Sequence, residues 1–373
     1  MAVLSGLRVL VINAGSSSLK VSLVAGDDST VAEHEFKASG GRFDEGDLHK
    51  TIREMKDVEA VGHRVVHGGP RYPASTRVDT GLVTYLASIT DLAPLHLPAA
   101  LAGIAAVRTL LPRTPAVACF DTAFHSKMPA EASTYAVPDE WRTRLGIRRY
   151  GFHGFSHAYA SRRAAEMLGR PEAFLRVVTC HLGSGASLAA VLGGRSVDTT
   201  MGFTPMEGLV MATRSGSVDP GMVLWLQRHE GMTEPELSDA LDLKSGLFAL
   251  AGVADMREVL RGVAAGVERS RKALDVYAHR LRSCIASMAA AMNGLDALVF
   301  TGGIGENAPA VRSAAVSGLG FLGAEIDESL NTSVDGDADI SAQDAAVKTL
   351  VVRAREDVEV AREVRRVLSD RAA

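Results

Sequence analysis

Cysteine is scarce in this 373-residue chain: Cys119, Cys180 and Cys284 are the only three, widely spaced and without a Cys-x-x-Cys pair. That excludes a disulfide framework and a zinc ribbon, and it suits a reducing cytoplasm. A surplus of either charge is also missing, because 40 Lys+Arg stand against 44 Asp+Glu for a net charge of −4. Lacking a basic field, the chain is expected to bind neither nucleic acid nor an anionic membrane. No apolar run reaches the roughly 18 to 20 residues that span a bilayer. The most apolar stretches, such as residues 285–292, stop well short of that. The apolar start, residues 1–12, has neither a basic leader nor a small-residue cleavage site and reads as a strand, so a soluble cytoplasmic protein is expected. There is no His-Glu-x-x-His spacing, no Gly-x-Ser-x-Gly elbow and no low-complexity tract, which argues against a tightly held zinc and a serine hydrolase.

What is present is enough apolar sequence, 47%, to bury a large core, over a length that favours two domains. Residues 7–12 form a β-branched, Leu-rich run, followed by the polar turn Asn13-Ala14-Gly15-Ser16-Ser17-Ser18 and a second run over 19–24, which reads as strand, tight turn, strand. The pattern returns 168 residues later, at 176–180, 181–187 and 188–192, with Gly15 and Ser16 falling on Gly183 and Ser184 without a gap. A duplicated domain accounts for this, although two Gly/Ser hairpins can also arise by chance. Helical spacing over 82–92 and 99–110 alternates with short strands such as 116–120, the signature of an α/β architecture. Further helices are expected over 156–168 with Ser156 as N-cap, over 267–292, from about Pro309, and over 354–368. Residues 295–300 read as a strand and 335–344 as a surface loop.

Three Gly/Ser turns, at 13–18, 181–187 and 301–307, each follow a strand. Glycine lets the main chain approach an anion while N–H groups and hydroxyls donate to it, so three such turns point to the phosphates of a nucleotide. The third also matches a dinucleotide fingerprint, Gly303-x-Gly305-x-x-Ala308, with Glu325 and Asp327 further on. A fold starting there would have too little chain left and would leave the first two turns idle. Histidines and arginines gather beside glycines in Gly62-His63-Arg64-Val65-Val66-His67-Gly68-Gly69 and Tyr150-Gly151-Phe152-His153-Gly154-Phe155-Ser156-His157, an arrangement that suits side chains presented at a cleft. Asp121 comes directly after a strand, where open α/β sheets place their ligands.

Six strings, in this order, resemble the acetate kinase family nearly end to end: Asn13-x-Gly15-Ser16-Ser17-Ser18-Leu19-Lys20, His63-Arg64-Val65-Val66-His67-Gly68-Gly69, Phe120-Asp121-Thr122-Ala123-Phe124-His125, Tyr150-Gly151-Phe152-His153-Gly154, Thr213-Arg214-Ser215-Gly216 and Thr301-Gly302-Gly303-Ile304-Gly305-Glu306-Asn307. The resemblance implies an α/β fold of duplicated actin-like (ribonuclease H-like) domains with a cleft between them. The N-terminal domain would cover 1–124, rejoined by 354–373, and the nucleotide-binding domain 125–353. It further implies a homodimer, ATP as co-substrate with Mg²⁺ or Mn²⁺, and reversible in-line phosphoryl transfer from ATP to acetate, giving ADP and acetyl phosphate. A propionate or butyrate kinase on the same scaffold, and a non-catalytic actin-like nucleotide switch, are the alternatives.

Carried over residue by residue, the resemblance implies that Arg64 and Arg214 hold the acyl carboxylate and the moving phosphoryl group, and that His153 donates to that group. Asp121 would orient Arg214 and help place the metal, to which Asn13 and Glu356 are linked. Asn13, Ser16, Ser18 and Lys20 would line the phosphoryl end, with His96 and His181 near the phosphates beside the turn residues Gly183, Ser184 and Gly185. Val66, Leu95, Phe152 and Pro205 would form the methyl pocket. Asp255, Met256 and Arg257, with Gly303, Ile304, Gly305 and Asn307, would bracket the adenosine. Three positions depart from the family pattern: Ser184 for the usual Asn, Phe155 for Thr, and Ala354-Arg355-Glu356-Asp357 for Thr-Asn-Glu-Glu.

Overall fold

A computed structural model describes residues 6–14, 18–37, 44–94 and 96–370. Among them twelve strands build two six-stranded sheets. The first contains β1 (Val9–Ala14), β2 (Ser18–Val24), β3 (Thr30–Lys37), β4 (Ala60–Val65), β5 (Thr76–Arg77) and β6 (Ala116–Phe120), in the order β3-β2-β1-β4-β6-β5. The second contains β7 (Arg176–Leu182), β8 (Ala186–Leu192), β9 (Arg195–Thr199), β10 (Ala297–Thr301), β11 (Ala338–Asp339) and β12 (Lys348–Val351), in the order β11-β12-β10-β7-β8-β9. Reversed, this is the order of the first sheet. Each sheet opens with an antiparallel meander, continues through parallel partners (β1, β4, β6 and β7, β10, β12) and closes on a short antiparallel edge. β2 coincides with β8 at the 168-residue offset found in the sequence, so the hairpins are equivalent parts of a duplicated fold. A meander of this kind is foreign to a parallel dinucleotide-binding sheet, and Asp327 caps the helix Glu328–Thr332.

The chain divides into two compact units: Met1–Ser126 with Phe152–Phe155 and Arg355–Ala373, and Lys127–Gly151 with Ser156–Ala354. The first unit takes in Phe152–Phe155 because His125 Nε2 lies 3.0 Å from the Phe152 carbonyl oxygen, the Phe152 ring meets His67 edge-on at 5.6 Å, and Phe155 packs on the last helix. In this unit one sheet face, with Leu10, Ile12, Ala14 and Val61, packs on the helices Glu45–Glu54 and Leu97–Leu110. The other, with Val9, Val11, Ala60, Val117 and Cys119, packs on the helix Glu356–Ser369 through Val360, Ala361, Val364 and Leu368. In the second unit the 24-residue helix Glu268–Ala291 lies on β7, β8 and β9. The helix Gly154–Leu168 sends His157 between Thr179 and Ser187, with Nδ1 2.7 Å from one hydroxyl and Nε2 2.8 Å from the other.

Some local expectations shift. The helix expected from Ser156 begins at Gly154, and Ser156 Oγ turns to His181 Nδ1 at 2.7 Å. Residues Gly302–Asn307, expected as a turn, are helical, because the Glu306 carboxylate accepts from the Gly302 N–H at 2.9 Å and closes the first turn. The region 335–344 contains the edge strand β11 and the buried Ile340.

The first unit buries three neutral histidines. Burial pulls the pKa of His63 down to about 3 and those of His67 and His125 to about 4. His63 sits 2% exposed, and neither ring nitrogen has a hydrogen-bond partner among the described residues. Their unfolded values lie near 6.5, so the unfolded chain binds more protons between that pH and 4, and stability falls as pH drops through this window. At pH 5 each histidine withdraws about 2 kcal/mol. A melting series at pH 7.5, 6.5 and 5 should therefore show a steep loss of Tm below 6.5. A flat Tm down to pH 5 contradicts the burial of neutral imidazoles.

Candidate active site

Parallel strands deliver their carboxyl ends to one edge of a sheet, and in the first unit β1, β4 and β6 end side by side with Asn13, Arg64 and Asp121. Asn13 and Arg64 are register partners. Alternation along each strand points them to the face covered by the helix Glu356–Ser369, whose first residue is Glu356. The four side chains meet. Arg64 donates from Nε to Asp121 Oδ1 at 2.8 Å, from Nη2 to Asp121 Oδ2 at 2.7 Å and from Nη1 to Asn13 Oδ1 at 3.0 Å, while Nη1 lies 2.9 Å from Glu356 Oε2. Asn13 Nδ2 donates to the same Glu356 oxygen at 3.3 Å. The guanidinium thus donates three hydrogen bonds and makes an ion pair with Glu356.

Asp121 is 1% exposed, and burial pushes its carboxyl up against the opposing pull of the Arg64 fork and the His153 amide. Against the downward pull of burial, the carboxylates of Asp121 and Glu356 in turn push the Arg64 guanidinium, already permanently charged, above its ordinary value. With both Asp121 oxygens held bidentately, the pair is ionic. The same amide contact ties His153 to this cluster. His153 holds a left-handed backbone, φ +55°, a conformation that costs a non-glycine residue energy and collects at functional sites. Gly154 follows because a Cβ there would lie 2.1 Å from the Asp121 carbonyl oxygen. Phe152 is buried against His67, and Val66 packs on the cluster of Leu82, Leu86 and Phe120. His96 stands at the N-cap of the helix Leu97–Leu110. Lys20, register partner of Asn13, is exposed and faces Glu35 at 3.8 Å. Ser16 and Leu95 lie outside the described residues.

In the second unit Arg214 stands in a loop clamped to the end of the helix Glu234–Leu243. Ser215 N–H donates to Leu241 O at 3.0 Å, Ser245 N–H to Thr213 O at 2.8 Å and Thr213 Oγ1 to Asp242 O at 2.8 Å. The Arg214 guanidinium donates from Nε to Asp242 Oδ1 at 2.6 Å and from Nη1 to the Pro205 carbonyl at 3.4 Å. Both Asp121 oxygens are engaged by Arg64, and the carboxylate on Arg214 is that of Asp242. The turn Gly183-Ser184-Gly185 joins β7 to β8, with Gly183 N–H on Gly185 O at 2.9 Å and Ala212 N–H on Ser184 O at 3.1 Å, which moors the Arg214 loop to the hairpin. His181, next to the end of β7, is in contact with Ser156. Asp255 is the N-cap of the helix Met256–Ala264 and pairs with the exposed Arg257, while Met256 is buried. Gly303, Ile304, Gly305 and Asn307 share the helix after β10, where Asn307 Nδ2 donates to Gly303 O at 2.9 Å.

Three supporting residues escaped the sequence reading. Asp242 has no motif around it. Glu306 lies inside a quoted string, yet its role is visible only in space: Oε1 accepts from the N–H groups of Gly302 and Ala354, at 2.9 and 3.0 Å, tying the third glycine segment to the chain that leads to Glu356. The buried Arg312 holds the carbonyls of Gly305 and Glu306, each at 2.8 Å. The departures from the expected pattern are accommodated. Phe155 fills the core of the first unit, and Arg355 turns to Thr30 and Asp357, leaving Glu356 on Arg64.

A chain whose two sheets share one topology is similar end to end to known proteins. The acetokinase family profile matches residues 38–362. The acetate kinase of Gloeobacter violaceus is 45% identical over 96% of this chain and 98% of its own length, and that of Methanosarcina acetivorans 41% identical over 97% of each. Among solved structures, Porphyromonas gingivalis acetate kinase superposes with a TM-score of 0.88 at 33% identity, over 97% of this chain and all of its own. A propionate kinase from Francisella tularensis superposes with a TM-score of 0.87 at 34% identity and the same coverage. Motif order, duplicated topology and end-to-end similarity agree, and the chain belongs to the acetokinase family.

Proposed function

We propose that the protein is an acetate kinase, transferring the γ-phosphoryl group of ATP to acetate in a reversible, direct in-line reaction that gives acetyl phosphate and ADP. The observation that carries this reading is the Arg64 assembly, a guanidinium fixed by Asp121, Asn13 and Glu356 at the ends of three adjacent strands. Acetate is already an anion with a nucleophilic oxygen, so no side chain has to remove a proton from it. The obstacle is charge: two unit charges about 4 Å apart repel by about 4 kcal/mol at an effective dielectric near 20. Guanidinium groups meet this need, since they stay charged and their planar forks match both a carboxylate and the equatorial oxygens of a metaphosphate-like transition state. Arg64 and Arg214 take these roles, and His153, fixed by its strained backbone, donates where charge develops.

Mg²⁺ belongs to the same reading, with Asp121, Glu356 and Asn13 as its residues. These hard oxygen donors suit it, and among the described residues no three His, Cys, Asp or Glu form a cage of their own. Such a set fits a cation held by one or two carboxylates together with water and phosphate oxygens. Once bound, the ion supplies neutralisation of the phosphate oxygens. The Gly183–Gly185 turn, Asp255–Arg257 and Gly303–Asn307 receive the nucleotide. We assign the protein to the cytoplasm as a homodimer. No helix of the described residues is long and apolar enough to cross a membrane.

The purified protein with ATP, Mg²⁺ and acetate should form acetyl phosphate, trapped as its hydroxamate; no product above a no-enzyme control sinks the reading. The acyl pocket gives a finer expectation, because one methylene is worth only about 1 to 3 kcal/mol in an apolar site. Propionate should be a slower substrate, and Val66→Ala should narrow the gap. An unchanged ratio of the two kcat/KM values removes Val66 from the pocket.

A further inference from the structure

The segment that carries Pro205 is held from behind by three side chains to which the reaction so far gives no part. The Tyr135 hydroxyl donates to Glu207 Oε2 in a very short hydrogen bond, and Arg149 Nη2 donates to Glu207 Oε1 at 2.9 Å. Arg149 Nη1 also donates to the carbonyls of Thr200 and Met201, each at 3.2 Å, and its guanidinium lies over the Tyr135 ring at 5.3 Å. The Tyr135 oxygen accepts in turn from the Phe203 N–H at 3.0 Å. Gly202 sits inside this cluster, where a Cβ would collide with Glu207 Oε2 and the Tyr135 oxygen. Its carbonyl accepts from the N–H groups of Tyr150 and Gly151 at 3.0 and 3.4 Å, in the segment that runs directly into Phe152 and His153.

We propose that Tyr135, Arg149 and Glu207 are positioning residues for the acyl acceptor, an inference that rests on the acetate kinase reading. They fix the segment 201–208, whose Pro205 carbonyl holds Arg214 Nη1 at 3.4 Å, and they fix the approach of the chain to Phe152 and His153. Charge-assisted bonds suit this task because they are directional and strong in a half-buried site. Burial and the Glu207 bond push the Tyr135 hydroxyl above its ordinary pKa, so it remains a donor. A misplacement of about 1 Å at a reacting group costs on the order of a hundredfold in rate, which makes a rigid support consequential far from the chemistry. Neither Asp255–Arg257 nor Gly302–Asn307 receives a hydrogen bond from the three side chains among the described residues, so the nucleotide should be insensitive to their loss.

The test compares wild type, Glu207→Gln and Tyr135→Phe in steady-state kinetics with acetate, propionate and ATP, alongside melting curves. The expected result is a rise of about tenfold in KM for acetate and a narrower preference over propionate, with KM for ATP within about twofold and Tm nearly unchanged. An unmoved acetate KM overturns the proposal. So does an equal rise in both KM values accompanied by a lower Tm, since that describes a scaffold and not a support for the acceptor. Tyr135→Phe deletes one oxygen and serves should Glu207→Gln fail to fold. A wild-type protein that makes no acetyl phosphate fails the underlying reading, whereas an active wild type with unaffected variants fails only this inference.

Discussion

Arg64→Ala lowers kcat for acetyl phosphate formation by about 10³- to 10⁵-fold while ADP and ATP still bind, because an arginine that stabilises a transferring phosphoryl group is worth that much. In barrier terms this is about 4 to 7 kcal/mol. The nucleotide survives because the contacts proposed for its adenosine, Asp255–Arg257 and Gly303–Asn307, lie on the second unit, and Arg64 is built into the first. The substitution has a second cost. It strands Asp121 at 1% exposure and Glu356 at 15% without their cation, and breaking a buried ion pair costs about 3 to 5 kcal/mol of folding stability. Arg64→Lys separates the two effects. It keeps the charge beside Asp121 but loses the planar fork, so most of the stability should return while most of the activity does not. A lysine variant with near-normal turnover contradicts the assigned role.

Arg214→Ala should produce a loss of the same order with far less damage to the fold. Its partner Asp242 is 24% exposed, so water solvates the orphaned carboxylate, and a pair of this kind is worth about 1 kcal/mol or less. The melting temperature should barely move while kcat collapses. ADP affinity, followed by equilibrium titration, should hold within a few-fold. Asp242→Ala tests the support itself: with Arg214 unmoored from one side, kcat should fall less than in Arg214→Ala. Equal turnover in wild type and Arg214→Ala rejects the role of this guanidinium.

Much of this was legible in the sequence because the motifs sit at strand ends, where backbone demands are local. Asn13, Arg64 and Asp121 each close a β-branched run, and the hairpin repeat at a 168-residue offset points to a duplicated domain, which the shared topology of the two sheets bears out. Glu356, placed by resemblance alone in an atypical string, is in contact with Arg64. What escaped was pairing across distant segments. Sheet register sets Asp121 beside Arg64, and the carboxylate on Arg214 comes from the end of a helix with no signature of its own. The glycines of 302–307 suggested a turn, since the Glu306 side chain that closes the helix acts through space. Ser156 looked like an N-cap, but the strained His153 starts the helix earlier and leaves that hydroxyl to His181.

Planar, permanently charged forks let one anion attack another, and chemical rescue is the most direct check of this chemistry. Guanidinium ion added at millimolar concentrations to Arg64→Ala or Arg214→Ala should restore acetyl phosphate formation by at least about tenfold, with saturation, while equal ammonium or potassium should not. No recovery in either variant, or equal recovery with ammonium, would contradict the account.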